Sequence, residues 1–127
     1  MVNFLLIGFS AAIGAWLRWM IGAGFAGLFP GLPFGTLAVN LLGGLLMGVS
    51  IAFFQSLTNL SEEIKLILNV GFLGGLTTFS AYTADIFALM QKGELYVALL
   101  LIFAHIIGAL ALCYVGFYLT SLSLRSF

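Results

Sequence analysis

The stretch that decides the fold is GFLGGLTTFSAY, residues 71–82, which interrupts a run of apolar residues long enough to cross a membrane. Glycines permit irregular backbone, and threonine side chains compete with a helix for its hydrogen bonds. Irregular backbone at bilayer depth is tolerated only inside protein or beside water, because unpaired peptide groups are costly in lipid. Broken helices of this kind offer main-chain oxygens or helix ends to ions. The stretch therefore predicts a broken third span and indicates ion handling.

The rest of the chain predicts a membrane protein. Its 127 residues are 63% hydrophobic and 6% charged, which is more apolar surface than a water-soluble domain of this size can bury. A spanning helix needs about 20 apolar residues. We predict an all-α protein with one transmembrane domain over residues 1–127, embedded in a lipid bilayer. Its four spans are expected at about 2–25, 35–55, 63–91 and 95–122.

The sequence lacks the residues that several function classes require. There is no Ser-His-Asp set, no paired carboxylates and no cluster with metal-ligand spacing, so we do not expect an enzyme. The formal net charge is zero, which gives no basis for binding nucleic acid.

The few positive charges bear on how the chain inserts. With four spans, Lys65 and Arg125 belong to one side of the membrane, and Arg18 and Lys92 to the other. An equal count gives no orientation preference. One interpretation is insertion in both directions and an antiparallel dimer; the alternative is that such small counts carry no information. Because four helices enclose little space, the sequence favours an oligomer, and small residues four apart at 44/48 and 71/75 would allow close helix approach.

Two polar side chains within the first two spans are candidate functional residues. Arg18 is expected near a membrane boundary, either as a snorkelling anchor or as a cation that attracts anions to a pore mouth. Asn40 lies within span two and must face protein or water. Its amide can donate two hydrogen bonds, which suits an anion; a hydrogen bond between helices is the alternative.

Other candidates lie at and beyond the interrupted stretch. Phe79 and Tyr82 are three residues apart, and their ring edges carry partial positive charge that an anion could follow; core packing is the alternative. Asp85 could pair with a cation or lie in a wet vestibule, and the sequence leaves its depth open. His105, the only histidine, is expected to be a packed or interface residue rather than a catalytic one.

These residues together resemble a known family, the Fluc (CrcB) fluoride channels, over essentially the whole chain. The motifs that carry the resemblance are GTL at 35–37 with Asn40 and Gly43, GGLTTFS at 74–80, and Gly14 with Arg18. The family comprises small channels that let fluoride leave bacterial cells passively, and its members are antiparallel dual-topology dimers with two pores. The resemblance therefore implies fluoride and a second identical subunit as partners, and a multi-pass location in the bacterial inner membrane.

The resemblance also implies roles for particular residues. A structural sodium ion would lie at the dimer centre, bound by the main-chain carbonyls of Gly74 and Thr77 from each subunit. Asn40 would line a pore. Phe79 matches the first of two pore phenylalanines, whereas Tyr82 stands at the second and adds a hydroxyl.

Hydroxyl groups along the path are the least secure part of the match. Span four of relatives often carries them, but this chain has Ala109 and Cys113 at the matching places. We expect Thr36, Ser80 and Thr83 to supply hydroxyls, with Asn40 the more important residue.

Two other functions compete with a fluoride channel. Small multidrug transporters, which exchange protons for cations, are also four-span dual-topology dimers, but they rely on a membrane-embedded glutamate in span one. Span one of this chain has no acid; the first acids are Glu62 and Glu63, at a loop. A non-transporting assembly subunit is the third possibility, and it leaves the polar break in span three without a purpose.

Overall fold

The computed structural model of the chain describes residues 2–28, 31–57 and 61–125. Within them, four helical spans are long and apolar enough to cross a membrane. The predicted all-α, multi-pass architecture is therefore confirmed. The spans are α1 (Val2–Leu28), α2 (Phe34–Ser56), a composite third span (Glu62–Gln91) and α6 (Leu95–Arg125).

The third span has four helical segments. They are α3 (Glu62–Lys65), a π-helical turn (Leu66–Leu73), α4 (Gly74–Leu76) and α5 (Phe79–Gln91). A π helix has one more residue in each hydrogen-bonded turn than an α helix, and it occurs mostly in short pieces, often at functional sites. The sequence analysis did not predict this wide turn.

The helix ends fall close to the predicted bounds. Both α1 and α6 continue three residues beyond the expected ends at 25 and 122. Gly31 and Gly93 have φ of +87° and +78°, a conformation that glycine adopts without steric cost, and each lies in a connection between spans. Residues 29–30 and 58–60 of the first two loops lie outside the described residues.

Small residues allow close packing of α2 along α6. A Cβ atom on Gly48 would collide with the main chain of Cys113, and one on Gly116 would collide with the main chain of Leu45. Glycine is therefore the side chain that lets these two backbones approach, as in other membrane helix pairs.

Glycines also allow close packing of α1 against the third span. Gly14 lies against the main chain of Phe72, and Gly75 lies against the main chain of Ala11. The small-residue spacings at 44/48 and 71/75, which the sequence analysis linked to an oligomer, thus serve contacts within one chain. Many other large apolar side chains point outward, as expected of a protein whose solvent is lipid.

Candidate functional site

The candidate site is built around two residues of the third span that are not helical. Thr77 has φ −84° and ψ 161°, and Thr78 has φ −151° and ψ 119°, so both are extended between α4 and α5. The Thr77 N–H still donates to the carbonyl of Leu73, 3.0 Å away, and its hydroxyl donates to the same oxygen. After Thr77, the N–H groups of Thr78 and Ala81 donate to side-chain oxygens instead of main-chain carbonyls.

Asn40 of α2 satisfies both main-chain groups of Thr78. The Thr78 N–H donates to Asn40 Oδ1 at 2.8 Å, and Asn40 Nδ2 donates to the Thr78 carbonyl at 2.9 Å. In a continuous α helix the Thr78 N–H would donate to the carbonyl of Gly74, four residues earlier. Asn40 Oδ1 therefore accepts the N–H that a continuous helix would direct to the Gly74 carbonyl. One of the two N–H groups of the Asn40 amide remains for another acceptor.

The Thr78 side chain likewise binds the N–H that a continuous helix would direct to the Thr77 carbonyl. Its hydroxyl caps α5 by accepting from the N–H of Ala81 at 3.1 Å, a donor that in a continuous helix would serve Thr77. The helical donors of the Gly74 and Thr77 carbonyls, the two expected sodium ligands, thus bind elsewhere.

Arg18 binds the irregular backbone from α1. It sits ten residues before the end of α1 at Leu28, about 15 Å along the helix axis, and its Nη1 donates to the carbonyl of Thr77 at 3.1 Å. Its expected position near a membrane boundary stays a prediction. The positive charge lies at the irregular backbone, and the carbonyl of Thr77 keeps a second lone pair for another partner.

A cleft of about 370 Å³ opens beside this backbone. Its lining includes Asn40, Thr77 and Thr78, together with Phe79 and Tyr82 of α5. Gly43 forms part of the wall, and a Cβ atom there would collide with the side chain of Thr77. The structure thus brings the asparagine and both expected aromatic residues to one surface.

The aromatic residues form a continuous row. The rings of Phe79 and Tyr82 are 5.5 Å apart between centroids, and those of Tyr82 and His105 are 4.4 Å apart. His105 is 6% exposed, and its Nδ1 lies 2.9 Å from the carbonyl of Leu101. Among the described residues, its Nε2 is the one buried side-chain nitrogen or oxygen without a hydrogen-bond partner. The sequence analysis expected a packed histidine but did not assign it to the site.

A spacing argument would have found His105. It precedes Ala109 by four residues, and residues four apart in a helix share one face. Ala109 also lines the cleft, as does Met47 from α2.

The expected hydroxyl residues are not equally free to bind an anion. The single hydroxyl protons of Thr36 and Thr83 are already donated, to Asp85 Oδ2 at 2.6 Å and to the carbonyl of Phe79 at 2.9 Å. Ser80 faces the hydroxyl of Thr78 at 3.3 Å, where either oxygen can be the donor. Ser80 is therefore the expected hydroxyl residue with most freedom to reorient toward an anion.

Asp85 occupies a separate cleft toward the end of the third span. Besides accepting from Thr36, it lines this cleft with Lys92, Pro33 and Gly31. Its partner in this chain is thus a hydroxyl group.

A cation at this site would meet main-chain rather than side-chain ligands. Across the described ranges, no three His, Cys, Asp or Glu side chains are grouped so that they could hold a metal ion. A cation at the irregular backbone would be bound by carbonyl oxygens, the ligands that hard cations prefer.

Known proteins resemble this chain over nearly its whole length. Residues 5–117 match a family model described as CrcB-like protein, Camphor Resistance (CrcB). Three relatives carry the name fluoride-specific ion channel FluC. That of Aromatoleum aromaticum is 47% identical, covering 90% of this chain and 87% of its own length. That of Pseudomonas putida is 46% identical, with 90% of both chains covered. That of Tolumonas auensis is 45% identical, with 98% of both covered.

Proposed function

This chain belongs to the CrcB family of fluoride channels, and on that premise we propose that it lowers cytoplasmic fluoride by letting the anion leave the cell passively. The family is one of channels rather than enzymes. We further propose that the protein works in the bacterial inner membrane as an antiparallel homodimer, with a structural sodium ion at the dimer centre.

The observation that carries the proposal is the pair of hydrogen bonds between Asn40 and Thr78 beside an open cleft. Polar groups within membrane spans are rare and commonly mark a functional site. Asn40, Phe79 and Tyr82 line the cleft together with Thr77, one of the two residues whose carbonyls lose their helical donors. Groups suited to an anion and a carbonyl suited to a cation thus lie close together.

The residues present fit a sodium ion. The carbonyls of Gly74 and Thr77 have lost their helical donors to Asn40 and Thr78. Because Arg18 donates to the Thr77 carbonyl, one lone pair of that oxygen remains for a cation, beside the Gly74 carbonyl oxygen. Two copies of the chain would offer four such oxygens, a suitable set for a hard cation. When bound, the ion would supply positive charge that holds the two subunits' carbonyls together, while Arg18 stabilises the Thr77 carbonyl from within its own chain.

The outer surface of α5 supports a second copy as the partner. Phe79 is 79% exposed, and the hydroxyl residues Ser80 and Thr83 are exposed beside it. Hydroxyl groups at bilayer depth gain little from lipid, whereas a second subunit could cover them. An antiparallel copy would bring the same surface, with its own carbonyls, to the opposite side of the ion.

The anion path we propose follows the cleft. Fluoride is strongly hydrated, so the path must replace water with donors and positive ring edges. Within the cleft, the remaining Asn40 N–H would donate a hydrogen bond, and the edges of Phe79 and Tyr82 would supply partial positive charge. The Ser80 hydroxyl is not part of the cleft lining, and it would donate from its position beside Thr78. Thr36 and Thr83 would need to redirect their protons before donating to the anion. Conduction needs no proton exchange, in contrast to the multidrug transporter that is the alternative function.

Fluoride efflux from liposomes tests this proposal, with chloride efflux as the comparison. Asn40→Ala and Phe79→Ile should each reduce fluoride flux by about tenfold or more, because each removes a group that replaces water around the anion. Phe4→Ile is the matched control, since Phe4 is also 80% exposed but lies far from the cleft, near the start of α1.

Dimers of both variants should still form, which cross-linking would check. Unchanged fluoride flux in both would remove these residues from the path. Lipophilic-cation uptake driven by a pH gradient, without fluoride flux, would favour the multidrug transporter.

A further inference from the structure

The π-helical turn upstream of Gly74 is held by hydroxyl groups from two neighbouring helices. Ser50 of α2, 4% exposed, donates to Asn69 Oδ1 at 2.6 Å. Ser10 of α1, 8% exposed, shares its one hydroxyl proton between the carbonyl of Ile67 at 2.9 Å and that of Ile7 in its own helix at 3.0 Å. Hydrogen bonds in such a low-dielectric interior are expensive to break, because the freed groups find no water. The wide turn is therefore fixed from outside as well as by its own backbone.

Asn69 connects α2 directly to the first expected sodium ligand. Its side chain is bound by Ser50, and its main-chain carbonyl accepts the N–H of Gly74 across five residues, a donor that the carbonyl of Gly71 shares. A π turn is less favourable than an α turn and persists where surrounding contacts support it. A change at Asn69 should therefore reach Gly74 through one hydrogen bond, and a change at Ser50 through two.

Helix α2 binds the third span at two points, one before and one after the expected sodium ligands in the sequence. Ser50 of α2 binds Asn69 upstream, and Asn40 of α2 binds Thr78 downstream. Ten residues, or about 15 Å of helix, separate the two points on α2. Gly74 and Thr77 lie between the two bound positions, so α2 fixes both ends of the segment that offers their carbonyls.

We propose that Asn69, held by Ser50, is a positioning residue that sets the orientation of the Gly74 and Thr77 carbonyls toward the sodium ion. The inference rests on the proposed function and deepens it, because it makes the sodium affinity of the cation site depend on a hydrogen bond outside that site. Asn69 touches neither the cation nor the anion in this role. Losing the bond weakens sodium binding because the oxygens no longer hold one fixed spacing.

The first test measures how sodium stabilises the purified protein against heat. Melting temperatures are compared across sodium concentrations, with N-methylglucamine as the replacement cation. Ser50→Ala and Asn69→Leu should each need about tenfold more sodium for half of the stabilisation, as expected for one lost buried hydrogen bond. Ser50→Thr keeps the hydroxyl and should restore the parent curve. Ser56→Ala is the matched control, because that exposed serine donates only to Phe53 of its own helix.

The second test is fluoride efflux from liposomes at high and at low sodium. Both variants should approach the parent rate at high sodium and fall well below it when sodium is replaced. Sodium curves for Ser50→Ala and Asn69→Leu that superimpose on the parent curve would overturn the inference, even if fluoride flux fell. A parent protein that conducts no fluoride would overturn the proposed function instead, and the melting curves would still report on Asn69.

Discussion

At the scale of single residues, Asn40 and Thr78 account for the irregular backbone of the third span. Asn40 supplies one acceptor and one donor to the peptide groups of Thr78, and the Thr78 hydroxyl caps the helix that follows. The N–H groups of Thr78 and Ala81 thus find new acceptors in place of the helical ones, so the extended residues lose little hydrogen bonding. The two alternatives for Asn40, an anion donor or a hydrogen bond to another helix, are therefore compatible.

Thr78→Ala should destabilise the protein by about 0.5–2 kcal/mol, the usual cost of losing a helix cap. The physical reason is the unpaired N–H of Ala81 at the start of α5. Thermal unfolding in detergent would measure the loss. Thr78→Ser keeps the capping oxygen and should recover most of it; equal losses in both variants would show that the methyl group, rather than the cap, is responsible.

At the scale of helices, main-chain contact at glycines sets the spacing of the bundle. Gly48 and Gly116 bring α2 and α6 together, and Gly14 and Gly75 bring α1 and the third span together. Because α1 and α2 are fixed in this way, Arg18 can reach Thr77, and Asn40 can reach the adjacent Thr78. Close helix packing is thus a condition for assembling the site.

Gly48→Ala should destabilise the protein by about 1–3 kcal/mol, the usual cost of overpacking, because its new methyl group would meet the main chain of Cys113. Gly8→Ala is the matched control, since a Cβ atom there meets nothing within 4 Å. Thermal unfolding compares the two. Equal stability of both variants would contradict the role given to Gly48.

At the scale of the whole molecule, the distribution of charge leaves insertion nearly unbiased. Lys65 and Arg125 belong to one side and Lys92 to the other. Whether or not Arg18, which is bonded to Thr77, is counted with Lys92, the two sides differ by at most one positive charge. So small a difference keeps dual insertion as our prediction for the homodimer.

A pair of charge-changing variants tests dual insertion. Glu63→Lys adds positive charge on the side of the termini, and Glu94→Lys adds it on the opposite side, so each should bias insertion toward one orientation. Reporters on the C-terminus that are active on opposite sides of the membrane would detect the bias, with the parent protein reporting on both sides. Each variant alone should lose fluoride export from cells, and co-expression should restore it. A parent signal from one side only would contradict dual insertion.

The sequence by itself determined the number and nature of the spans, because apolar length is a local property that needs no knowledge of neighbours. It also determined where helix would be hardest to maintain, since glycines and threonines at 71–82 weaken it locally. The family followed from motifs such as GGLTTFS, which are read without coordinates.

The tertiary structure decided which groups meet. The bond of Arg18 to Thr77, the pairing of Asn40 with Thr78, and the place of His105 beside Tyr82 depend on how helices pack, which no single segment encodes. The π-helical turn likewise has no local signal, because a run such as LILNVGFL suits an ordinary helix until Ser50 of another helix binds Asn69. Hydrogen bonds between distant residues assemble this site, and their partners are separated by 19 to 59 positions in the chain.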